Sequence, residues 1–308
     1  MNRHSIQSIR GVIPAMLTPF APDETFCPER TRALVRHLMR FDIGGLYLTG
    51  STGEGFMMTE AERMEAVEAV LAETKGEIPV IVHVGAISTR ISENLARHAA
   101  SAGADAISSV PPIYWKFTDD AIAGYYQDLV QASGLPMIVY NIALAGLVSF
   151  DMVKRLGAID GVAGIKYTAP THYDMFRIKE ALGEDFMVYS GADEMAMSGL
   201  SFGADGIIGS TYNLLADLFV RIVKAHDGGN AREAEALQKA ANRIIFTFIK
   251  YDLMPVMKLG LGMIGVDAGV SRRPFTQYDE PRQAAIREDF LKLKEELAAF
   301  DIDFLKRL

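Results

Sequence analysis

Lys166 closes the apolar run Val162-Ala163-Gly164-Ile165-Lys166, an unusual place for a cation. Inside an apolar strand an ammonium is costly, and burial lowers a lysine pKa from about 10.4 toward neutrality. A neutral amine is a carbonyl nucleophile, able to form an imine with a keto substrate. One strand earlier, Pro136-Met137-Ile138-Val139-Tyr140-Asn141 ends in a phenol, which can shuttle a proton. Lysine and tyrosine at neighbouring strand ends predict Schiff-base chemistry, with Lys166 as nucleophile and Tyr140 as acid/base.

Other residues following apolar runs fit around such a pair. In Gly50-Ser51-Thr52-Gly53-Glu54 the glycines let backbone N–H groups turn toward an anion, and Ser51 and Thr52 add hydroxyl donors, which suits a carboxylate. A turn that merely closes a strand has the same composition. Asp193-Glu194 opens the helix expected after strand seven, where the helix dipole favours carboxylates whatever the function. His83, after Pro79-Val80-Ile81-Val82, reads as a hydrogen-bonded interior histidine outside the mechanism. The stretch Gly203-Ala204-Asp205-Gly206-Ile207-Ile208-Gly209-Ser210 is similar to the phosphate-binding loop of many barrels, but no lysine or arginine lies close in sequence to neutralise a phosphate. No C-x-x-C or H-E-x-x-H arrangement offers zinc ligands, so neither a metal nor another cofactor is expected.

The elements that must position these residues are eight short apolar runs, at 12–17, 45–49, 79–84, 106–110, 136–140, 162–166, 186–189 and 205–208. Between them lie stretches of 3.6-residue periodicity such as 59–75, where Met64, Val67 and Leu71 form a stripe, Thr59 and Glu62 make a capping box, and Gly76 stops the helix. Strands apolar on both faces that alternate with helices imply a parallel sheet, and eight such units close as a (β/α)8 TIM barrel. Further helices at 214–226, 231–252 and 282–300 predict a C-terminal helical extension. The expected organisation is residues 1–213 for the barrel strands and most barrel helices, then 214–308 for the last barrel helix and the extension. In such a barrel the chemistry lies at the C-terminal strand ends, where the residues singled out above fall.

With 308 residues, 49% of them hydrophobic, the chain has ample material for that core. Its net charge of -8 is dispersed without a basic run, which argues against nucleic acid or an anionic membrane and for a small-molecule partner. Cys27 stands alone, so no intrachain disulfide forms. No apolar stretch approaches the roughly 20 residues of a membrane span, and the N-terminus lacks a signal peptide's apolar region. A soluble, cytoplasmic, unprocessed protein is expected.

Taken together, Gly50-Ser51-Thr52-Gly53-Glu54, Tyr140-Asn141-Ile142, Gly164-Ile165-Lys166-Tyr167-Thr168 and Gly203-Ala204-Asp205-Gly206 resemble the dihydrodipicolinate synthase and N-acetylneuraminate lyase superfamily of class I aldolases, over nearly the whole chain. Ser190-Gly191-Ala192-Asp193-Glu194 and Ile208-Gly209-Ser210-Thr211-Tyr212-Asn213 resemble its N-acetylneuraminate lyase branch. The synthase branch normally carries an arginine shortly after the Tyr140-Asn141 pair for a dicarboxylic substrate, whereas 142–147 here holds no basic residue. The resemblance implies that Ser51 and Thr52 bind the substrate carboxylate and that Lys166 and Tyr140 do the chemistry. It also implies that Tyr114 reaches a neighbouring subunit's site, where it joins the catalytic residues by supporting the proton relay, within a homotetramer. Thr168, Gly191, Asp193, Glu194 and Ser210 would hold the sugar chain. One departure bears on which sugar acid is taken: the lyases read Tyr-Asn-Ile-Pro-Ala-Leu, whereas this chain passes from Ile142 directly to Ala143 without the proline, leaving a loop one residue shorter after Tyr140. The alternatives are the synthase, another pyruvate-dependent aldolase or dehydratase for keto-sugar acids, or a keto-acid-binding protein without turnover. Pure binding needs no amine nucleophile, which weighs against the last.

Overall fold

A computed structural model describes residues 4–308. Its eight strands are β1 (Gly11–Pro14), β2 (Leu46–Leu48), β3 (Val80–His83), β4 (Ala106–Ser109), β5 (Met137–Ile142), β6 (Val162–Thr168), β7 (Met187–Ser190) and β8 (Gly206–Gly209). All neighbours pair in parallel, β1 pairs with β8, and a parallel bridge between Ala15 and Tyr47 joins β1 to β2, so the sheet closes as the expected (β/α)8 barrel. The strands alternate with α1 (Pro28–Leu38), α2 (Glu60–Thr74), α3 (Thr89–Ala102), α4 (Asp119–Ser133), α5 (Phe150–Gly157), α6 (Tyr173–Leu182), α7 (Ala196–Ser201) and α8 (Tyr212–Asp227). After α8 come α9 (Ala231–Ile249), α10 (Leu253–Met263), α11 (Glu280–Glu296) and α12 (Asp303–Arg307).

Period-two alternation sorts the strand residues into two cores. Ile13, Tyr47, Ile81, Ile138, Tyr140, Met187, Tyr189 and Ile208 fill the barrel interior. Val12, Leu46, Val80, Ile107, Val139, Ile165 and Ile207 pack outward with the helices. Lys166 shares the inward parity of Gly164, its side chain meeting the rings of the interior residues Tyr47 and Tyr140.

Four expectations need correction. Lys166 is not the last residue of its strand: β6 continues to Thr168 and β5 to Ile142, because Tyr140 pairs with Lys166, Asn141 with Tyr167 and Ile142 with Thr168. Hydrogen bonding carries the ladder beyond the apolar run. The Thr59/Glu62 capping box on α2 forms, but the helix ends at Thr74, and Lys75, not Gly76, takes the left-handed C-cap. Residues 250–252 leave the expected helix over 231–252, and a separate helix, α10, follows; its all-round apolar sequence with two glycines carries no amphipathic stripe to betray it, and Pro255 sits in the first turn, where its missing N–H costs nothing. Likewise 282–300 is α11 plus a short turn at Ala298–Phe300.

The phosphate-loop likeness also dissolves in three dimensions. Gly203-Ala204-Asp205 precedes β8, at the end of the barrel opposite the C-terminal strand ends. There Asp205 accepts from the Val188 N–H (2.8 Å) and pairs with Arg10 (2.8 Å) and Lys179 (2.7 Å). The matching Gly103-Ala104-Asp105 before β4 accepts from the Val80 N–H at 2.9 Å. Each aspartate ties its strand to the preceding odd-numbered one, a structural task repeated across the two halves of the barrel.

Candidate active site

The Lys166 side chain, 3% exposed, ends between two aromatic faces, its Nζ 4.2 Å from the Tyr140 ring centroid and 4.6 Å from that of Tyr47. Among the described residues no hydrogen bond or ion pair engages this amine. An amine with no polar partner to displace is accessible to a carbonyl carbon. The space beside it is kept by Gly191 at the end of β7, where a Cβ would lie 1.8 Å from Thr168 Oγ1 and 3.1 Å from Lys166 Cε. Thr168 Oγ1 is buried without a partner.

Tyr140 is buried, its ring edge-on to Tyr47 (6.0 Å) and His83 (6.1 Å). Tyr47 donates to Ser108 Oγ (3.0 Å), and burial pushes its phenol well above the ordinary range, so it stays neutral. His83 behaves as expected of an interior histidine. Its Nε2 accepts from the Val110 N–H at 3.3 Å, which leaves the proton on Nδ1, 3.2 Å from the Thr49 carbonyl. Burial, with Arg63 beside it, holds it well below its usual pKa.

The turn after β2 is bracketed by two left-handed residues, Thr49 (φ 53°) and Glu54 (φ 55°). Gly55 completes it, because a Cβ there would stand 1.9 Å from the Thr49 carbonyl oxygen. Thr52 Oγ1 lies 2.6 Å from Ser210 Oγ, so the turn and the end of β8 meet across the barrel mouth. Ser51 is half-buried and lines a cavity of about 460 Å³ with Val110, Ile113, Ile142 and Leu144. Lys166 and Tyr140 lie outside that lining.

Asp193 does not cap an α-helix. It starts a single 3-10 turn, and α7 begins only at Ala196. Its Oδ2 accepts from the Thr211 N–H (2.8 Å) and hydroxyl (2.7 Å), while Oδ1 is buried without a partner. Room for that oxygen exists because residue 209 is glycine: a Cβ would sit 1.8 Å from it. Burial raises the Asp193 pKa to about 6, against the pull of the Thr211 bonds. Since the folded pKa lies above the unfolded value of 3.8, protonation of Asp193 stabilises the fold below pH 3.8, and this contribution is lost as pH rises through about 6. Asp193→Asn, which keeps an acceptor for Thr211 but never ionises, is expected to remove a decline of roughly 3 kcal/mol across that window. Thermal unfolding of both proteins at several pH values checks this; parallel curves would refute it.

Glu194 is exposed beside Asp193, and its carbonyl accepts from Asn242 at 3.0 Å. Tyr114 stands apart from all of these. It is 86% exposed, has φ 81°, and packs only its own neighbour Trp115, at 4.6 Å between ring centroids. The structure thus gathers Lys166, Tyr140, Ser51, Thr52, Thr168, Gly191, Asp193, Glu194 and Ser210 around the C-terminal strand ends, and leaves Tyr114 outside its own barrel's site.

Sequence reasoning missed Tyr47, whose ring flanks the amine, and Lys258 on α10. Lys258 is the only charged residue in its eleven-residue apolar helix, the same signal that singled out Lys166. Its Nζ is 2.7 Å from Glu54 Oε1, with both side chains essentially inaccessible, and burial lowers its pKa to about 8 against the opposing pull of Glu54.

Residues 8–292 match the sequence profile of the dihydrodipicolinate synthetase family. The chain belongs to this family. Within it, an N-acetylneuraminate lyase from Rhizobium meliloti is 39% identical over 282 residues, 91% of this chain and 94% of the relative. Another from Citrobacter koseri is 40% identical over 278 residues, 89% and 93% of the two chains. Among solved structures, a catalytic lysine mutant of the Ruminococcus gnavus sialic acid aldolase superposes with a TM-score of 0.92 at 28% identity, covering 97% of this chain and all of the other. Among the described residues no cluster of His, Cys, Asp or Glu is gathered to hold a metal ion, and no helix is long and apolar enough to cross a membrane.

Proposed function

We propose that this member of the family is an N-acetylneuraminate lyase, which splits open-chain N-acetylneuraminate into N-acetylmannosamine and pyruvate through a lysine Schiff base. The observation that carries it is the Lys166 amine, buried and free of polar partners between the Tyr47 and Tyr140 rings in the C-terminal half of β6. The lyases among its relatives and the sialic acid aldolase likeness support the sugar acid as substrate.

In this reading Ser51 and Thr52 hold the substrate carboxylate, and Lys166 attacks the C2 ketone, losing water to give a protonated imine. Deprotonation of the C4 hydroxyl then pushes its electron pair into the aldehyde carbonyl as the C3–C4 bond breaks. The imine nitrogen receives the bond's electrons, leaving an enamine of pyruvate. Protonation of that enamine at C3 and hydrolysis free the lysine. Tyr140 moves the protons. Thr168 Oγ1 and Asp193 Oδ1, both buried without a partner, supply hydrogen bonds to the sugar chain together with Glu194, Ser210 and the space at Gly191. Tyr114, exposed with a positive φ, completes the site of a neighbouring protomer and supports the proton relay there, so activity needs at least a dimer; the family resemblance extends this to a homotetramer in the cytoplasm. No cofactor enters these steps.

A coupled assay of pyruvate release from N-acetylneuraminate tests the activity. Tyr140→Phe keeps the ring packing against Tyr47 and His83 but removes the transferable proton. Its turnover is expected to fall roughly 10²–10⁴-fold with imine formation largely retained. Near wild-type cleavage would reduce the phenol to a packing residue.

A further inference from the structure

We propose that the buried Glu54–Lys258 pair is a positioning device for the substrate-carboxylate turn, through which the C-terminal extension sets the affinity of the barrel site for its keto acid. This deepens the reading of Ser51 and Thr52 as carboxylate ligands and rests on it. Glu54 stands two residues after Thr52 and holds a left-handed backbone, strained for a side chain other than glycine. Something must over-determine that conformation. Both carboxylate oxygens are captured from outside the turn: Oε1 by Lys258 Nζ on α10 at 2.7 Å, Oε2 by the Arg272 backbone N–H at 2.8 Å.

The ammonium in turn is fully spent. Besides Glu54 it donates to the Thr18 and Val270 carbonyls, each at 2.7 Å, and it lies 4.6 Å from the Phe20 ring centroid. Thr18 is itself part of the turn's support, since its hydroxyl donates to the Gly53 carbonyl at 2.7 Å. Val270 and Arg272 belong to the segment after α10, and Arg272 is anchored by Glu62 and by the carbonyls of Met57 and Glu24. Three separated stretches of chain therefore converge on one lysine. The hydroxyls and N–H groups of 51–53 are thus held in one arrangement by contacts made behind the turn. A buried pair of this kind is poor evidence for added stability, because desolvating two charges offsets most of their attraction, whereas fixing a unique geometry is a role such pairs do fill.

The test separates positioning from a general loss of fold. Borohydride trapping at Lys166, read by mass spectrometry, is titrated with pyruvate and with acetone, a ketone without a carboxylate. In Glu54→Gln the concentration of pyruvate for half-maximal trapping is expected to rise at least tenfold, while the acetone curve moves less than twofold. Removing both charges in Glu54→Gln/Lys258→Met avoids a lone buried cation and should preserve folding, with the same selective loss of pyruvate. Equal weakening for both ketones would make the pair merely structural, and an unchanged pyruvate curve would overturn the assignment outright. Wild-type protein that traps no pyruvate at Lys166 would instead overturn the Schiff-base reading beneath it.

Discussion

Lys166→Ala is expected to abolish both the borohydride-stable pyruvate adduct and cleavage of N-acetylneuraminate. Reduction converts an imine to a secondary amine, so the wild-type protein should gain one reduced pyruvate at a single lysine. The other buried lysines are already committed: Lys179 pairs with Asp205, and Lys258 spends its donors on Glu54, Thr18 and Val270. Lys166 alone of these three meets only aromatic faces. Removing its amine forfeits the covalent route entirely, so the loss should exceed that from any supporting residue. Adduct at another position in the mutant would refute the assignment.

The barrel was legible because parallel strands buried on both faces write continuous apolar runs, and eight of them punctuated by amphipathic stripes leave little choice of architecture. The candidate site was legible to the extent that its residues follow those runs directly. Lys166, Tyr140, Ser51 and Thr52 were placed by strand position alone. What stayed hidden depends on distant chain segments. That Thr52 meets Ser210, or that Asp193 gives one oxygen to Thr211 and keeps the other unpaired, follows from closure of the sheet and from the glycine at 209. The helix α10 was missed because periodicity detects helices with one apolar face and this one is apolar all round. Its single lysine was nonetheless visible, and asking what could neutralise it would have pointed to a buried carboxylate. Glu194, by contrast, was expected in a helix and found exposed on a 3-10 turn, because α7 begins only at Ala196.

Substrate choice gives the second large effect. The stretch after Tyr140 contributes Ile142, Leu144 and Ala145 to the cavity wall and no cation. The two cations buried near the turn are engaged elsewhere, Lys258 with Glu54 and Arg63 with the His83 and Gly85 carbonyls. A second carboxylate entering this mouth would find the carboxyl groups of Asp193 and Glu194, and the desolvation of its charge would go uncompensated. A polyol chain finds acceptors and donors it can satisfy. Sites built to hydrogen-bond a hydroxyl discriminate against partners lacking it by about 10⁴-fold, because buried polar atoms such as Asp193 Oδ1 and Thr168 Oγ1 are then left unpaired. Cleavage of N-acetylneuraminate is therefore expected to proceed with dihydrodipicolinate formation from pyruvate and aspartate semialdehyde near background, and Asp193→Ala or Glu194→Ala should raise KM for the sugar acid. Both reactions can be followed on one preparation. Faster condensation with aspartate semialdehyde than cleavage of the sugar acid would mean that a cation outside the loop after Tyr140 binds the second carboxylate, and the synthase reading would replace the lyase.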